Sequence, residues 1–286
     1  MRSPTIMILT MALLFISTAS IFARLMPEVS PIAMSFWRVS IGASFFWLLT
    51  RRQNKNPLPT IHRYNILFSG LFLALHFMCF FAALNFISIA KATLLSAMAP
   101  VFAIIIEKIF LKRRLSKEIV LGLAFALLGA IILQIEKIDG ETSNVVGIIL
   151  ALFASLFLAL LMIFAEKIRK NTDLFVFTRA LYGWAAIILF GIGTSLNHNL
   201  FSFNYQNYLW LVMMGIIPTV LGHTLLYYTV GHIRPTVVSA VPLGEPIIAS
   251  LMAYLFFKET IPIFTVVGGG ITLLGLYILV TKHQQK

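Results

Sequence analysis

Ten apolar stretches, each about twenty residues long, follow one another through this 286-residue chain with short polar breaks between them. They lie at approximately 5–25, 31–50, 65–87, 90–111, 117–135, 145–165, 173–195, 207–230, 235–257 and 262–281. A helix rises about 1.5 Å per residue, so each stretch can cross a hydrocarbon core about 30 Å thick. With no water there to serve the backbone, helix is the conformation that satisfies it within one segment. Ten such helices use most of the chain and leave no room for a soluble domain. The longest connections, 51–64 and 196–206, read as ordinary polar loops.

Composition agrees. The chain is 59% hydrophobic and 11% charged, whereas a soluble domain is about a quarter charged. The expected fold class is therefore all-α and integral to the membrane, with the lipid bilayer as its surroundings. The N-terminal MRSPTIMILTMALLFISTASIFAR resembles a signal peptide, but its apolar run is longer than a signal core and many similar runs follow. It reads as an uncleaved first span. The excess of 22 Lys and Arg over 10 Asp and Glu does not point to nucleic acid, because the basic residues fall between apolar runs, as in loops facing an anionic leaflet. The single Cys79 allows no internal disulfide and no thiol-based metal site. No metal and no cofactor is expected.

Orientation follows from the basic residues of alternate loops. With the N-terminus inside, the cytoplasmic loops and tails carry fifteen: Arg2, Arg51, Arg52, Lys55, Arg63, Lys112, Arg113, Arg114, Lys117, Lys167, Arg169, Lys170, Arg234, Lys282 and Lys286. The outer loops carry three, Lys91, Lys137 and Lys258. Arg24, Arg38, Lys108 and Arg179 fall within spans or at their ends. Both termini are expected in the cytoplasm.

The two halves also match each other. A shift of 146 residues lays Pro100 on Pro246, Gly122 on Gly268 and Gly129 on Gly275. SAMAPVFAIIIEKIFLKRRL faces SAVPLGEPIIASLMAYLFFKETI, and one further gap pairs Arg38 with Arg179. Five spans per copy is an odd number, so the second copy enters the membrane from the opposite side. This is an inverted-topology repeat, with one five-helix unit over 1–138 and the other over 139–286. Arg113 stands where Glu259 stands in the second copy, each on the side expected for its charge.

The segments GHTLLYYTVGHIRPTVVSAVPLGEPIIASLMAYLFFKE and ATLLSAMAPVFAIIIEKIFLKRRLS resemble the paired domains of EamA-type transporters of the drug/metabolite transporter superfamily. The resemblance covers essentially the whole chain, and the LGEP…KE segment is its most specific part. It implies a ten-helix bundle of two inverted five-helix repeats in a prokaryotic inner membrane, exporting or exchanging small solutes. Arg113 departs from the pattern by replacing the acidic residue that commonly ends the fourth helix.

Intramembrane polar residues are the site candidates, since each is costly in lipid. Glu245 lies about ten residues into the ninth span, roughly 15 Å from the inner surface. It reads as a protonatable or cation-facing group in a central cavity, or as a carboxylate satisfied by a neighbouring helix at a Pro246 kink. His223, roughly 11 Å deep in the eighth span, stands at a similar depth and can pair with Glu245 or bond a neighbouring helix. His76 lies one position from the repeat equivalent of His223. Arg38 and Arg179 can hold an anionic group of a substrate or reach the nearer interface. Tyr227, Tyr228, Trp37 and Trp184 suit a cavity wall or an interfacial aromatic belt. Glu107 and Lys108 read as an interfacial ion-pair cluster. Among structural residues, Pro100, Pro218 and Pro246 mark shared architecture or bends. Gly268, Gly269, Gly270 and Gly275 form a small-residue face suited to close helix packing, including between protomers of a homodimer.

These features point to a secondary transporter of small metabolites or drugs, rocking its repeats about a central site. Export is the expected direction, with proton coupling at Glu245; uptake or exchange fits the same fold. Amino acids, nucleosides and cationic drugs are all compatible substrates. An intramembrane enzyme would need a G-x-S-x-G, H-E-x-x-H or acidic metal motif, and none appears. A Walker loop for ATP hydrolysis is also missing from the sequence. A scaffold has no evident use for inverted symmetry.

Overall fold

A computed structural model of the chain describes residues 2–51, 53, 58–138, 144–257 and 263–283. Arg52, Lys55, Lys258, Glu259 and Lys286, which enter the charge argument, lie outside the described residues. The helices are α1 (Arg2–Ile16), α2 (Ala19–Arg24), α3 (Pro31–Thr50), α4 (Arg63–Ala83), α5 (Ile89–Ser96), α6 (Ala99–Ile109), α7 (Lys117–Ile138) and α8 (Val145–Arg169). They continue with α9 (Leu174–Ser195), α10 (Tyr205–Met214), a π-helical segment Gly215–His223, α11 (Thr224–Val230), α12 (Pro235–Ser239), a 3-10 turn Val241–Gly244, α13 (Glu245–Phe257) and α14 (Ile263–His283). No strand occurs among the described residues. Nine helical stretches among them are long and apolar enough to cross a membrane. The tenth expected segment, 117–135, is the helix α7.

Short polar connections start the helices where they do. Ser30 accepts from the Ala33 amide at 3.2 Å with Pro31 at the first helical position. Ser88, Asn144, Asp173 and Asn204 cap α5, α8, α9 and α10 in the same way. Each cap meets an amide that has no partner within its own helix.

Three expected single helices are broken. The segment 235–257 is α12, a 3-10 turn and α13; 90–111 is α5 and α6; 5–25 is α1 and α2. Proline has no N–H and crowds the carbonyl four residues back. Pro100 therefore stops α5 at Ser96, and Pro246 falls four residues after Pro242 in the 3-10 turn. The restarts match as well: α6 begins at Ala99 and α13 at Glu245, 146 positions apart. Pro218 sits inside the π-helical segment. It cannot serve the Met214 carbonyl, and the Thr219 hydroxyl donates there instead at 3.1 Å.

The most extensive packing joins α7 to α14, followed by α4 to α8 and α3 to α9. A Cβ on Gly129 would lie 2.3 Å from the Thr272 amide nitrogen, and one on Gly268 2.4 Å from that of Leu133. Gly275 meets Ala126 and the carbonyl of Gly122 just as closely. Gly129 with Gly268, and Gly122 with Gly275, means that α7 and α14 run antiparallel. Two residues 146 apart touch at this crossing, the Thr272 hydroxyl donating to the Ala126 carbonyl at 3.5 Å. The small-residue face expected to suit a second protomer is thus occupied within the chain at Gly268 and Gly275, while a Cβ on Gly270 would meet nothing.

Candidate functional site

The broken helices converge on one cavity, lined by residues of α1 to α5, α8, the π-helical segment, the 3-10 turn and α13. Its polar lining is Arg38, His76, Thr93, Ser96, His223 and Glu245. Phe77 and Phe80 supply its aromatic wall.

Arg38 is 1% exposed. Its guanidinium carbon stands 3.7 Å from the centre of the Phe77 ring, and its Nε donates to the Thr219 hydroxyl at 3.0 Å. Nη2 is buried without a hydrogen-bond partner among the described residues. A buried cation of this kind needs an aromatic face or an acceptor to offset its lost hydration. The Thr219 that supplies the acceptor is set by its own π turn. Tyr182 donates to the Thr219 carbonyl at 3.0 Å, which also accepts the Thr224 amide at the end of the π-helical segment. Thus a local helix defect, caused by Pro218, positions the cation of the cavity.

His76 and the Ala154 carbonyl are 2.8 Å apart through Nδ1. A carbonyl only accepts, so Nδ1 carries the proton and Nε2 remains the ring's second site. His223 stands edge-on to Phe77, centroids 5.1 Å apart at 87°. Its Nδ1 is buried without a partner. His223 and Phe77 are a second pair 146 positions apart that touch. Glu245 is partly buried at the first turn of α13, its amide donating to the Pro242 carbonyl of the 3-10 turn. No ion pair within 4 Å joins it to Arg38 among the described residues. The cavity therefore holds one fixed cation and one carboxylate, unpaired with each other, with two imidazoles in the same lining. It can take up an anionic group at Arg38, and a cation or a proton at Glu245.

Four of the six expected binding residues, Arg38, His76, His223 and Glu245, thus share one lining. Arg179 does not: it donates to the Thr50 hydroxyl at 3.0 Å, where α9 packs on α3. Tyr227 lies behind the wall, fully buried, its ring 6.1 Å from His223 and 5.7 Å from Phe177. Trp37 donates to the Leu200 carbonyl at 2.7 Å within a cluster of Phe36, Phe201 and Tyr208. Trp184 and Tyr228 face outward. Glu107 is fully buried and lies 3.8 Å from Arg113 at the end of α6. Sequence reasoning did not single out Phe77, Thr93, Ser96, Tyr182 or Thr219. Phe77 was discoverable, since it is the repeat equivalent of His223. Thr219 carried the weaker signal of a hydroxyl directly after a mid-span proline.

Comparison with known proteins gives a consistent result. The profile of the EamA-like transporter family matches residues 3–135 and again 145–281. An uncharacterized transporter of Archaeoglobus fulgidus is 25% identical over 268 residues, covering 89% of this chain and 90% of its own. The pseudopaline exporter of Pseudomonas aeruginosa is 26% identical over 269 residues, covering 91% and 90%. A probable amino-acid metabolite efflux pump of Escherichia coli is 24% identical over 264 residues, covering 88% and 85%. One solved crystal structure shares the fold across 100% of both chains, with a TM-score of 0.79 at 15% identity.

Proposed function

The chain belongs to the EamA-like transporter family, and from that premise we propose that it is a secondary active transporter that exports a small metabolite or drug through the cavity around Arg38 and Glu245. Transport proceeds by alternating access, with two inverted five-helix units, 1–138 and 139–286, rocking about the cavity. α7 counts as the tenth span. The protein resides in the inner membrane with both termini in the cytoplasm.

The observation that carries this reading is the convergence of Arg38, His76, His223 and Glu245, from four separate elements, on one cavity. Four isolated intramembrane polar groups would each be a cost; gathered around one space they form a place to hold a polar solute. The inverted repeat is supported by the antiparallel crossing of α7 and α14 and by the paired breaks before Ala99 and Glu245. It is supported further by contact between residues 146 apart at two places, Ala126 with Thr272 and Phe77 with His223. Two such self-meeting pairs are what a two-fold axis between the units produces. Export is favoured by the efflux named for two relatives.

In this mechanism Arg38, fixed by Phe77 and Thr219, holds an anionic group of the solute. Glu245 exchanges a proton with the solute or with the medium. His76 and His223 supply hydrogen-bonding sites in the same lining. The test is flux into and out of proteoliposomes over a panel of labelled metabolites, with a proton gradient imposed in either direction. Gradient-stimulated movement of at least one solute is expected; a silent panel in both directions contradicts the reading.

A further inference from the structure

About eleven residues past Ser96, and so roughly 16 Å along the same broken span, a second polar cluster stands outside the cavity. Glu107, at the end of α6, is 0% exposed. Its Oε1 accepts the Thr236 amide of α12 at 3.2 Å and lies 3.8 Å from Arg113. Its Oε2 is buried without a hydrogen-bond partner among the described residues. Arg113 in turn donates to Glu166, near the end of α8, at 2.8 Å, and Lys170 meets Glu166 at 3.0 Å. Beside them Arg234, just before α12, donates to the Arg114 carbonyl at 2.9 Å. Three elements that line or adjoin the cavity, α6, α8 and α12, are thus tied together at one end. Ala103, Leu161, Ala165, Val237 and Val238, all fully buried, belong to the same three elements.

The tie is one-sided. The shift of 146 puts Ala253 opposite Glu107, Glu259 opposite Arg113 and Ser20 opposite Glu166. The other unit's equivalents therefore cannot make the same acid–base–acid chain. The tie is also incompletely satisfied, since Glu107 keeps one oxygen unpaired and stands at long range from Arg113. α12, which receives it, is a separate five-residue helix between two irregular turns.

We infer that Glu107, Arg113 and Glu166 form a lock that closes one face of the bundle, and that parting them is the step that turns the cavity toward that face. The inference rests on the transport reading above and adds the groups that bias its conformational equilibrium. While closed, the lock gives Arg113 two carboxylates and gives Glu107 the Thr236 amide. When α12 swings away, these charged groups gain water in exchange, so the difference between states is small enough to be reversed by a bound solute.

The test uses the full chain in sealed vesicles, with Cys79→Ala and a reporter Ala103→Cys, and follows reaction with a membrane-impermeant methanethiosulfonate from the Arg113 face. Arg113→Ala and Glu166→Gln are each expected to raise the labelling rate roughly tenfold. Combining Arg113→Ala with Glu166→Gln is expected to stay within about twofold of the faster single variant, because both break the same tie. Lys108→Gln, which removes an exposed charge nearby, is expected to leave it unchanged. The lock is wrong if the single variants, monodisperse on size exclusion, label at the parent rate, or if the double variant's increase is the product of theirs. Should Arg113→Ala fail to fold, Glu166→Gln still decides. Labelling needs no substrate: flux with unresponsive labelling overturns the lock alone, and responsive labelling with a silent flux panel overturns the transport reading alone.

Discussion

Arg38 is the residue on which the cavity depends most, because its environment leaves so little else for it to do. It is buried, stacked on Phe77 and bonded through Nε to Thr219, with Nη2 left over. A guanidinium held flat on an aromatic face presents its remaining N–H groups in a fixed direction, whereas an ammonium in the same place does not. Arg38→Gln is therefore expected to lower flux by about ten- to a hundredfold, as loss of a charged contact of about 1.5–3 kcal/mol would do. Arg38→Lys is expected to recover little of it, measured as initial rate of uptake into proteoliposomes. Thr219 acts through Arg38. Thr219→Val, which keeps the shape and removes the acceptor, is expected to raise KM roughly tenfold while kcat moves far less, and Thr219→Ser to stay near the parent. Equal losses in Ser and Val variants would assign Thr219 a packing role only. Glu245, His223, His76 and Arg38 were each legible in the sequence as polar residues in lipid-length runs. Their common cavity was not, because nothing local places residue 38 beside residue 219. Arg179 shows the converse: the same residue type at the repeat-equivalent position is taken up by Thr50.

At the scale of elements, the glycines and prolines have separate uses. Proline breaks were legible at Pro100 and Pro246, and the matched restarts at Ala99 and Glu245 follow from them. The three-piece form of 235–257 was not, because it needs Pro242 and Pro246 acting together. The glycines of α14 were legible as a packing face but not as to which helix they face. That choice is made by α7, whose Gly122 and Gly129 lie at the same spacing. Without a hydrophobic drive between helices in lipid, such backbone proximity supplies the dispersion contacts that join them. Gly268→Ala puts a Cβ at 2.4 Å from a backbone nitrogen of α7 that has no room to shift. It is expected to destabilise the detergent-solubilised protein by about 1–3 kcal/mol or more, read as a lowered melting temperature. Gly270→Ala, with nothing within 4 Å, is the matched control. It is expected to be neutral or to stabilise by up to about 1 kcal/mol, as Ala does over Gly in a helix. Equal effects at 268 and 270 would remove the crossing from the account.

For the whole molecule, the proposed inverted repeat carries two asymmetries. Glu245 stands where the first unit has Ala99, and Arg113 where the second has Glu259. The first asymmetry places the cavity carboxylate beside the shared break; the second goes with the charge cluster at the Arg113 end. Loops that charge counting assigns to one membrane face do meet there, with Arg113 on Glu166 and Arg234 on Arg114. That much of the bundle was legible because hydropathy and charge act along the chain. Which groups close an end, and which open on a cavity, depends on contacts between spans far apart in sequence. The central claim is that a solute crosses through the cavity and that Glu245 couples its passage to protons. It is tested most directly by flux in proteoliposomes with and without a proton gradient, comparing the parent with Glu245→Gln. The account predicts gradient-stimulated flux in the parent, and flux indifferent to the gradient in a variant of unchanged melting temperature. Stimulation of equal size in both would contradict it.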